Sequence, residues 1–269
     1  IGLDENHKIQ IVNSTDKKKR EKYVKHLYRK LQREGQLERD VDRLVRNDRI
    51  AWGASMIACK DADAMVTGNI RHYAASVEKL KKFVDARQGE TIFGMTIIVS
   101  KGKTILVADT NVHDFPSSER LVNTSISCVR VARLFGFEPK VAFLSHSTFG
   151  KPVSRNTKHV RDAIELLKTK KVDFDFDGEM QPDVALNPIY QEVYPFSKIV
   201  GRANILIMPA LHSAAISTKL MKTFGGAKLI GPLLIGLGLP IEVAPLRSST
   251  SDILNLASVA AYSSDVIDY

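Results

Sequence analysis

The chain has 269 residues, 44% of them hydrophobic and 26% charged, a balance that supports a globular fold with a substantial core and room for two domains. Its longest apolar run, 229–241, is shorter than the roughly 20 residues needed to cross a bilayer and is interrupted by Gly231, Pro232, Gly236, Gly238 and Pro240, which excludes a membrane anchor and leaves no membrane partner. A formal net charge of +9 leaves nucleic acid and phosphorylated small molecules to be weighed, and its distribution bears on both.

Residues 1–50 hold 14 Lys or Arg against 9 Asp or Glu, a net of +5 centred on Lys17-Lys18-Lys19-Arg20. After a candidate strand at 8–12, Val24, Leu27, Tyr28 and Leu31 recur at i, i+3, i+4 and i+7. This spacing predicts an amphipathic helix whose basic residues form its solvated face. No RNA-binding or helix-turn-helix signature accompanies it and aromatics total 7%, so no nucleic-acid partner is expected. The chain opens on Ile1 without a signal peptide, and Cys59 and Cys128 are isolated thiols without metal-ligand spacing. The expectation is a cytoplasmic piece of a longer protein.

Further along, β-branched runs predict strands at 64–67, 96–99, 104–108, 141–145, 204–208 and 241–244, with Lys101-Gly102-Lys103 turning a hairpin between the second and third. Helical patterns lie between several of them. "PSSERLVNTSISCVRVARLFG" opens with a cap signal at Pro116-Ser117 and stops at Gly136, and Val160, Ala163, Ile164 and Leu167 form an apolar stripe in "VRDAIELLKTK". The alternation predicts an α/β fold with mainly parallel sheets covered by helices.

"DFDFDGEMQPDV" begins like a calcium loop but places Val184 where the bidentate Glu belongs, so no metal is expected. It predicts a strand that ends in a tight turn at Asp177-Gly178, leaving Glu179 to serve the loop. There is no phosphate-cradling G-x-x-x-x-G-K-[ST] loop, no complete dinucleotide fingerprint and no G-x-S-x-G elbow. His146 in "LSHSTFG" stands between Ser145 and Ser147 at the carboxyl end of a predicted strand, where open α/β sheets place ligands; a surface or core histidine reads equally well. The stretch 229–241 reads as glycine-rich core, with close turns at Gly231-Pro232 and Gly236. After it, "RSSTSD" precedes the apolar "ILNLASVAAY". Ser249, Thr250 or Ser251 can cap that helix, and its free N–H groups with Arg247 favour a phosphate; a cap without a ligand is the other reading.

Seven segments, "DADAMVTGNIRH", "ILVADTNVHDFPSSERL", "FGFEPKVAFLSHSTFG", "DFDGEMQPDVALNP", "ANILIMPALHSAAISTKL", "IGPLLIGLGLP" and "STSDILN", resemble the phosphate acetyl/butyryl transferase family, in family order from about residue 45 to the end. "LSHSTFG" and "DGEMQPDVAL" are most similar to the phosphotransacetylase-like C-terminal domain of bacterial hybrid NADP-dependent malic enzymes. The resemblance implies two α/β domains, 1–91 with 239–269 and 92–238, the first lacking its N-terminal part, around a cleft that takes acetyl-CoA or CoA.

Active members of the family carry an Asp-Leu-Ser-Arg-Gly segment and a later Asp-Ile pair. Aligned on Asp252-Ile253, this sequence has Pro245 and Leu246 where the Ser and Arg belong, and His212 and Ala215 replace usual asparagines. No catalytic set is intact. Arg247 and Asp252 are the residual candidates, because neither proline nor leucine supplies the charge stabilisation and proton transfer that acyl transfer to phosphate requires. The cleft candidates for acetyl-CoA or phosphate are Asn111, Ser145, Ser147, Thr148, Arg247, Ser248 and Asp252. Lys219 in "STKLMK" reads as added charge or as a solvated helix residue.

The resemblance implies a regulatory acetyl-CoA-binding domain, in a homo-oligomer, that acts on a malic enzyme catalytic domain of the same longer chain, where NADP and a divalent metal are expected. The alternatives are an active phosphate acetyltransferase and a pure assembly module.

Overall fold

The computed structural model describes residues 10–109, 112–153 and 155–266. The described residues open with three helices, α1 (Lys17–Leu31), α2 (Glu38–Asn47) and α3 (Arg49–Ala58). Helix α1 forms as its spacing dictates: Tyr23, Val24, Leu27 and Leu31 are buried and Asp16 caps it by accepting the Lys19 N–H at 3.1 Å. Asp48 does the same for α3, accepting from Ile50 and Ala51. Strand β1 (Met65–Gly68) and helix α4 (Tyr73–Phe83) follow, then the hairpin β2 (Phe93–Ser100) and β3 (Lys103–Ala108). Lys101 and Gly102, both at positive φ, turn that hairpin where the sequence placed it.

Helix α5 (Ser118–Leu134) is capped by Ser117, which accepts the Arg120 N–H, and leads through β4 (Lys140–Leu144) to α6 (Lys158–Thr169), whose buried face is Val160, Ala163, Ile164 and Leu167. The remaining elements are β5 (Asp175–Met180), α7 (Pro182–Leu186), β6 (Ile205–Ile207), α8 (Leu211–Thr223), β7 (Lys228–Ile235), β8 (Ile241–Ala244) and α9 (Thr250–Val266). Among the described residues no helix is long and apolar enough to cross a membrane.

Two sheets result. One is the parallel pair β1 and β8; the other has six strands in the order β5-β4-β6-β3-β2-β7. β3, β6, β4 and β5 run parallel, and β2 is antiparallel to both β3 and β7. A core around Phe93, Leu106, Leu121, Val141 and Phe143 packs α5 and α6 against the large sheet. A second core around Tyr23, Leu27, Trp52 and Leu80 joins α1 to α4 and takes in Leu234 and Leu237 from the region of β7, so the two sheets share packing.

Three local expectations need correction. Residues 10–12 form no strand, and the rest of the expected 8–12 strand lies outside the described residues. The predicted turn at Asp177-Gly178 is instead the middle of β5, where Gly178 at φ +144° lets the strand pass the Phe143 carbonyl, which a Cβ would meet at 2.6 Å. The 229–241 run is core at Leu233, Leu234 and Leu237 and turns at Gly236 as expected, but Gly231-Pro232 lies within the edge strand β7, its irregularity absorbed as a register shift against Met95 and Ile97.

Candidate functional site

Because β1 and β8 run parallel, as do β3, β6 and β4, the segments that follow each group emerge on one side of its sheet, the side where open α/β sheets bind ligands. Behind β1 and β8, the Asn69 N–H donates to the Ala244 carbonyl at 3.0 Å and the Arg247 N–H donates to the Asn69 carbonyl at 3.2 Å. Asn69 and Arg247 both adopt left-handed backbone conformations, φ +67° and +60°. Gly68 fits beneath them because a Cβ there would lie 2.2 Å from the Ala244 oxygen. The Arg247 side chain is exposed, as is Leu246.

Ser249 settles which residue caps α9. Its Oγ accepts the Asp252 N–H at 3.2 Å, while Asp252 Oδ2 accepts from the Ser249 N–H and hydroxyl at 3.0 and 2.8 Å, a reciprocal capping arrangement. Partial burial would raise the Asp252 carboxyl, but the Ser249 hydrogen bonds and the field of Lys222 and Lys228 outweigh it and hold the group below its ordinary range. Ser248 donates its hydroxyl to the Pro245 carbonyl at 2.8 Å. Thus Arg247 and Ser248 on the loop and Asp252 in the first turn of α9 lie together at the end of β8, and Asn111 lies outside the described residues.

The loop after β4 is organised differently. Ser145 and Ser147 hydroxyls lie 3.1 Å apart, Ser147 donates to Glu179 Oε1 at 2.9 Å, and Glu179 also accepts from the Gly150 N–H and from Arg161. The Thr148 hydroxyl accepts the Gln181 N–H. These hydroxyls are turned inward, and the 1% exposed Glu179 fixes the loop from below. Among the described residues no hydrogen bond or ion pair links this loop to Arg247, Ser248 or Asp252. His146 stays exposed and its carbonyl accepts from Gln181.

The loop after β3 supplies a centre that sequence reading passed over. The buried Asp109 carboxylate accepts the N–H groups of Gly94, Val112 and His113 at 2.8, 3.2 and 3.1 Å. His113 Nδ1 lies 2.7 Å from its Oδ2. A carboxylate only accepts, so Nδ1 carries the proton toward Asp109 and a neutral ring leaves Nε2 as an acceptor. Leu211 donates to the Asp114 carbonyl, which ties the loop after β6 to this one. The available signal was an acid closing a buried strand in "ILVADTNVHD" with a His four residues on.

Against β1 and α3, a cavity of about 700 Å³ is lined by Asn47, Arg49, Asn69, Arg71, Ser76 and Ile253 among others. Asn69 Oδ1 and Ser76 Oγ are buried there without hydrogen-bond partners among the described residues. Cationic rims beside an unmatched acceptor and donor suit a polar anionic ligand. Among the described residues no group of three His, Cys, Asp or Glu is placed to hold a metal ion.

The sequence profile of the phosphate acetyl/butaryl transferase family matches residues 1–261. The chain belongs to this family. It is 46% identical over 254 residues to an NADP-dependent malic enzyme of Rhizobium meliloti (strain 1021), a match that covers 94% of this chain and 33% of the relative. A phosphate acetyltransferase of Bacillus subtilis (strain 168) is 29% identical over 231 residues, covering 85% of this chain and 72% of the other. Among solved structures, the EutD phosphotransacetylase from Staphylococcus aureus superposes with a TM-score of 0.86 at 25% identity, covering 97% of this chain and 80% of that one. This family member therefore spans about a third of the length of the malic enzymes it matches, and nearly all of it follows the transferase fold.

Proposed function

We propose that this chain is a regulatory acetyl-CoA-binding domain of an NADP-dependent malic enzyme, working in the cytoplasm without transferring the acyl group. In this reading two α/β domains, 1–91 with 239–269 and 92–238, flank the ligand, while NADP, a divalent metal and malate oxidation belong to a catalytic domain of the longer protein.

One observation carries the loss of transfer: β8 runs out into Pro245 and Leu246, and the acid that follows, Asp252, is engaged by the Ser249 N–H and hydroxyl in the cap of α9. That end retains positive charge for a phosphate or pantetheine-linked anion but no arginine directly after the strand to stabilise a developing oxyanion. Arg247 and Ser248 are the anion contacts of this reading. Ser145, Ser147 and Thr148 contribute the shape of their loop, their hydroxyls being already bonded. Regulation requires that acetyl-CoA bind two states of the longer enzyme differently, a coupling typically of about 1–3 kcal/mol. Self-association is part of the same proposal, supported by the exposed apolar row Ile216 and Leu220 on α8 and Phe224 at its C-terminal cap.

Calorimetric titration of the chain with acetyl-CoA, with acetyl phosphate formation followed on the same sample, tests the reading. Binding without turnover is expected. Turnover would establish an active transferase using Arg247 and Asp252, and absence of any CoA-ester binding would leave an assembly module.

A further inference from the structure

The basic helix α1 is not used by the site above. His26, Arg29 and Lys30 on α1 and Arg33 in the turn after it recur at i, i+3, i+4 and i+7, so they project from one face. With Phe83 and Leu239 among the other walls, they line a concavity of about 800 Å³. Two of its walls are tied together where Gly238 donates its N–H to the Asp85 carbonyl at 2.8 Å.

The charge in this concavity is not balanced. Two other cations of α1, Arg20 and Lys22, have carboxylate partners in Asp42 and Asp61. The one acid in the lining, Asp85, pairs with Lys30 at 2.7 Å. Arg29 and Arg33 have no acidic partner among the described residues. His26 is held below its ordinary value by burial and then by the charges of Arg29 and Lys30.

The floor is apolar, with Phe83 and Val84 buried. A volume in the few-hundred-to-thousand Å³ range, two guanidinium groups suited to bidentate phosphate contact, and an apolar wall that includes the Phe83 ring together suit a ligand with a polyanionic tail and a planar body. An extended nucleic acid fits poorly, because the cations converge on a hollow instead of tracking along a surface. We propose that this concavity binds a nucleoside polyphosphate, its phosphates on Arg29 and Arg33 and its base over Phe83 and Leu239.

The site is distinct from the acyl-CoA region and does not depend on that reading. Gly238 and Leu239 precede β8, whereas Arg247 follows it, so the length of the strand, about 13 Å, separates them.

Calorimetric titration of the 269-residue chain with ATP, ADP, AMP and adenosine tests the proposal. Affinity should fall in that order, with adenosine not binding. The double variant Arg29→Ala/Arg33→Ala should weaken ATP at least tenfold while its melting temperature stays unchanged, since both side chains are exposed, and Arg247→Ala should leave ATP affinity within twofold. No binding at millimolar ATP, equal binding of adenosine, or insensitivity to the double variant would overturn it. Loss of ATP binding in Arg247→Ala would place the nucleotide in the acyl-CoA site instead, and tighter binding of a single-stranded oligonucleotide than of ATP would identify the face as a nucleic-acid surface.

Discussion

The Arg247 N–H donates to the Asn69 carbonyl, and both residues hold positive φ, so the two loops at the ends of β1 and β8 lock one another. The backbone and the guanidinium of Arg247 therefore do separate work. Arg247→Ala should weaken acetyl-CoA by about tenfold or more, the scale of one charge-assisted hydrogen bond, with little change in unfolding midpoint. Arg247→Gly should lose the same affinity yet be at least as stable as the alanine variant, because glycine accepts the left-handed conformation. Titration and urea denaturation of both variants check this; equal acetyl-CoA affinity of wild type and Arg247→Ala would remove the side chain from the site.

Asp109 holds three backbone N–H groups and His113, so Asp109→Ala strands several buried or half-buried donors at once. A loss of about 2–4 kcal/mol is expected at roughly 1 kcal/mol or more per stranded group, measured by chemical denaturation. Asp109→Asn, which keeps an acceptor oxygen, should cost less, and nitrogen NMR of His113 Nδ1 should register the changed partner.

The Glu242 carboxyl is 4% exposed and accepts the Leu234 N–H at 2.8 Å. Burial pushes it up to about 8, with that N–H acting in the opposite sense. Between the ordinary glutamate value of 4.5 and about 8, the folded chain holds a proton that the unfolded chain has released. Its contribution to stability therefore falls as pH rises through that window. Glu242→Gln should flatten the pH dependence of the urea midpoint between pH 5 and 8 and raise the midpoint at pH 8; an unchanged slope would show that Glu242 is ionised in the fold.

Phe224 is 95% exposed in line with Leu220 and Ile216 on α8. Leu220→Asp/Phe224→Asp should convert a self-associating chain to monomer in sedimentation velocity without lowering its melting temperature, because neither side chain contributes to a core. A wild-type chain that already sediments as a monomer would remove this face from the proposal.

What the sequence determined by itself was local. The stripes of α1 and α6, the Ser117 cap, the Lys101-Gly102 turn and the alternation behind a mainly parallel α/β fold follow from spacing and backbone preference within a few residues. The family resemblance likewise rested on segments whose residues stand in order along the chain. Tertiary structure decided the rest. An apolar run such as 229–241 reads alike as core coil or strand until β2 supplies its hydrogen bonds. Asp177-Gly178 carries a turn signal that packing against β4 overrides. Ser147 presents a free hydroxyl in the sequence, and only folding brings Glu179, 32 residues away, to within 2.9 Å of it. Asp109 shows the same limit: a buried polar group takes its role from the partners that the fold brings to it, here the N–H of Gly94, 15 residues away, beside those of the neighbouring Val112 and His113.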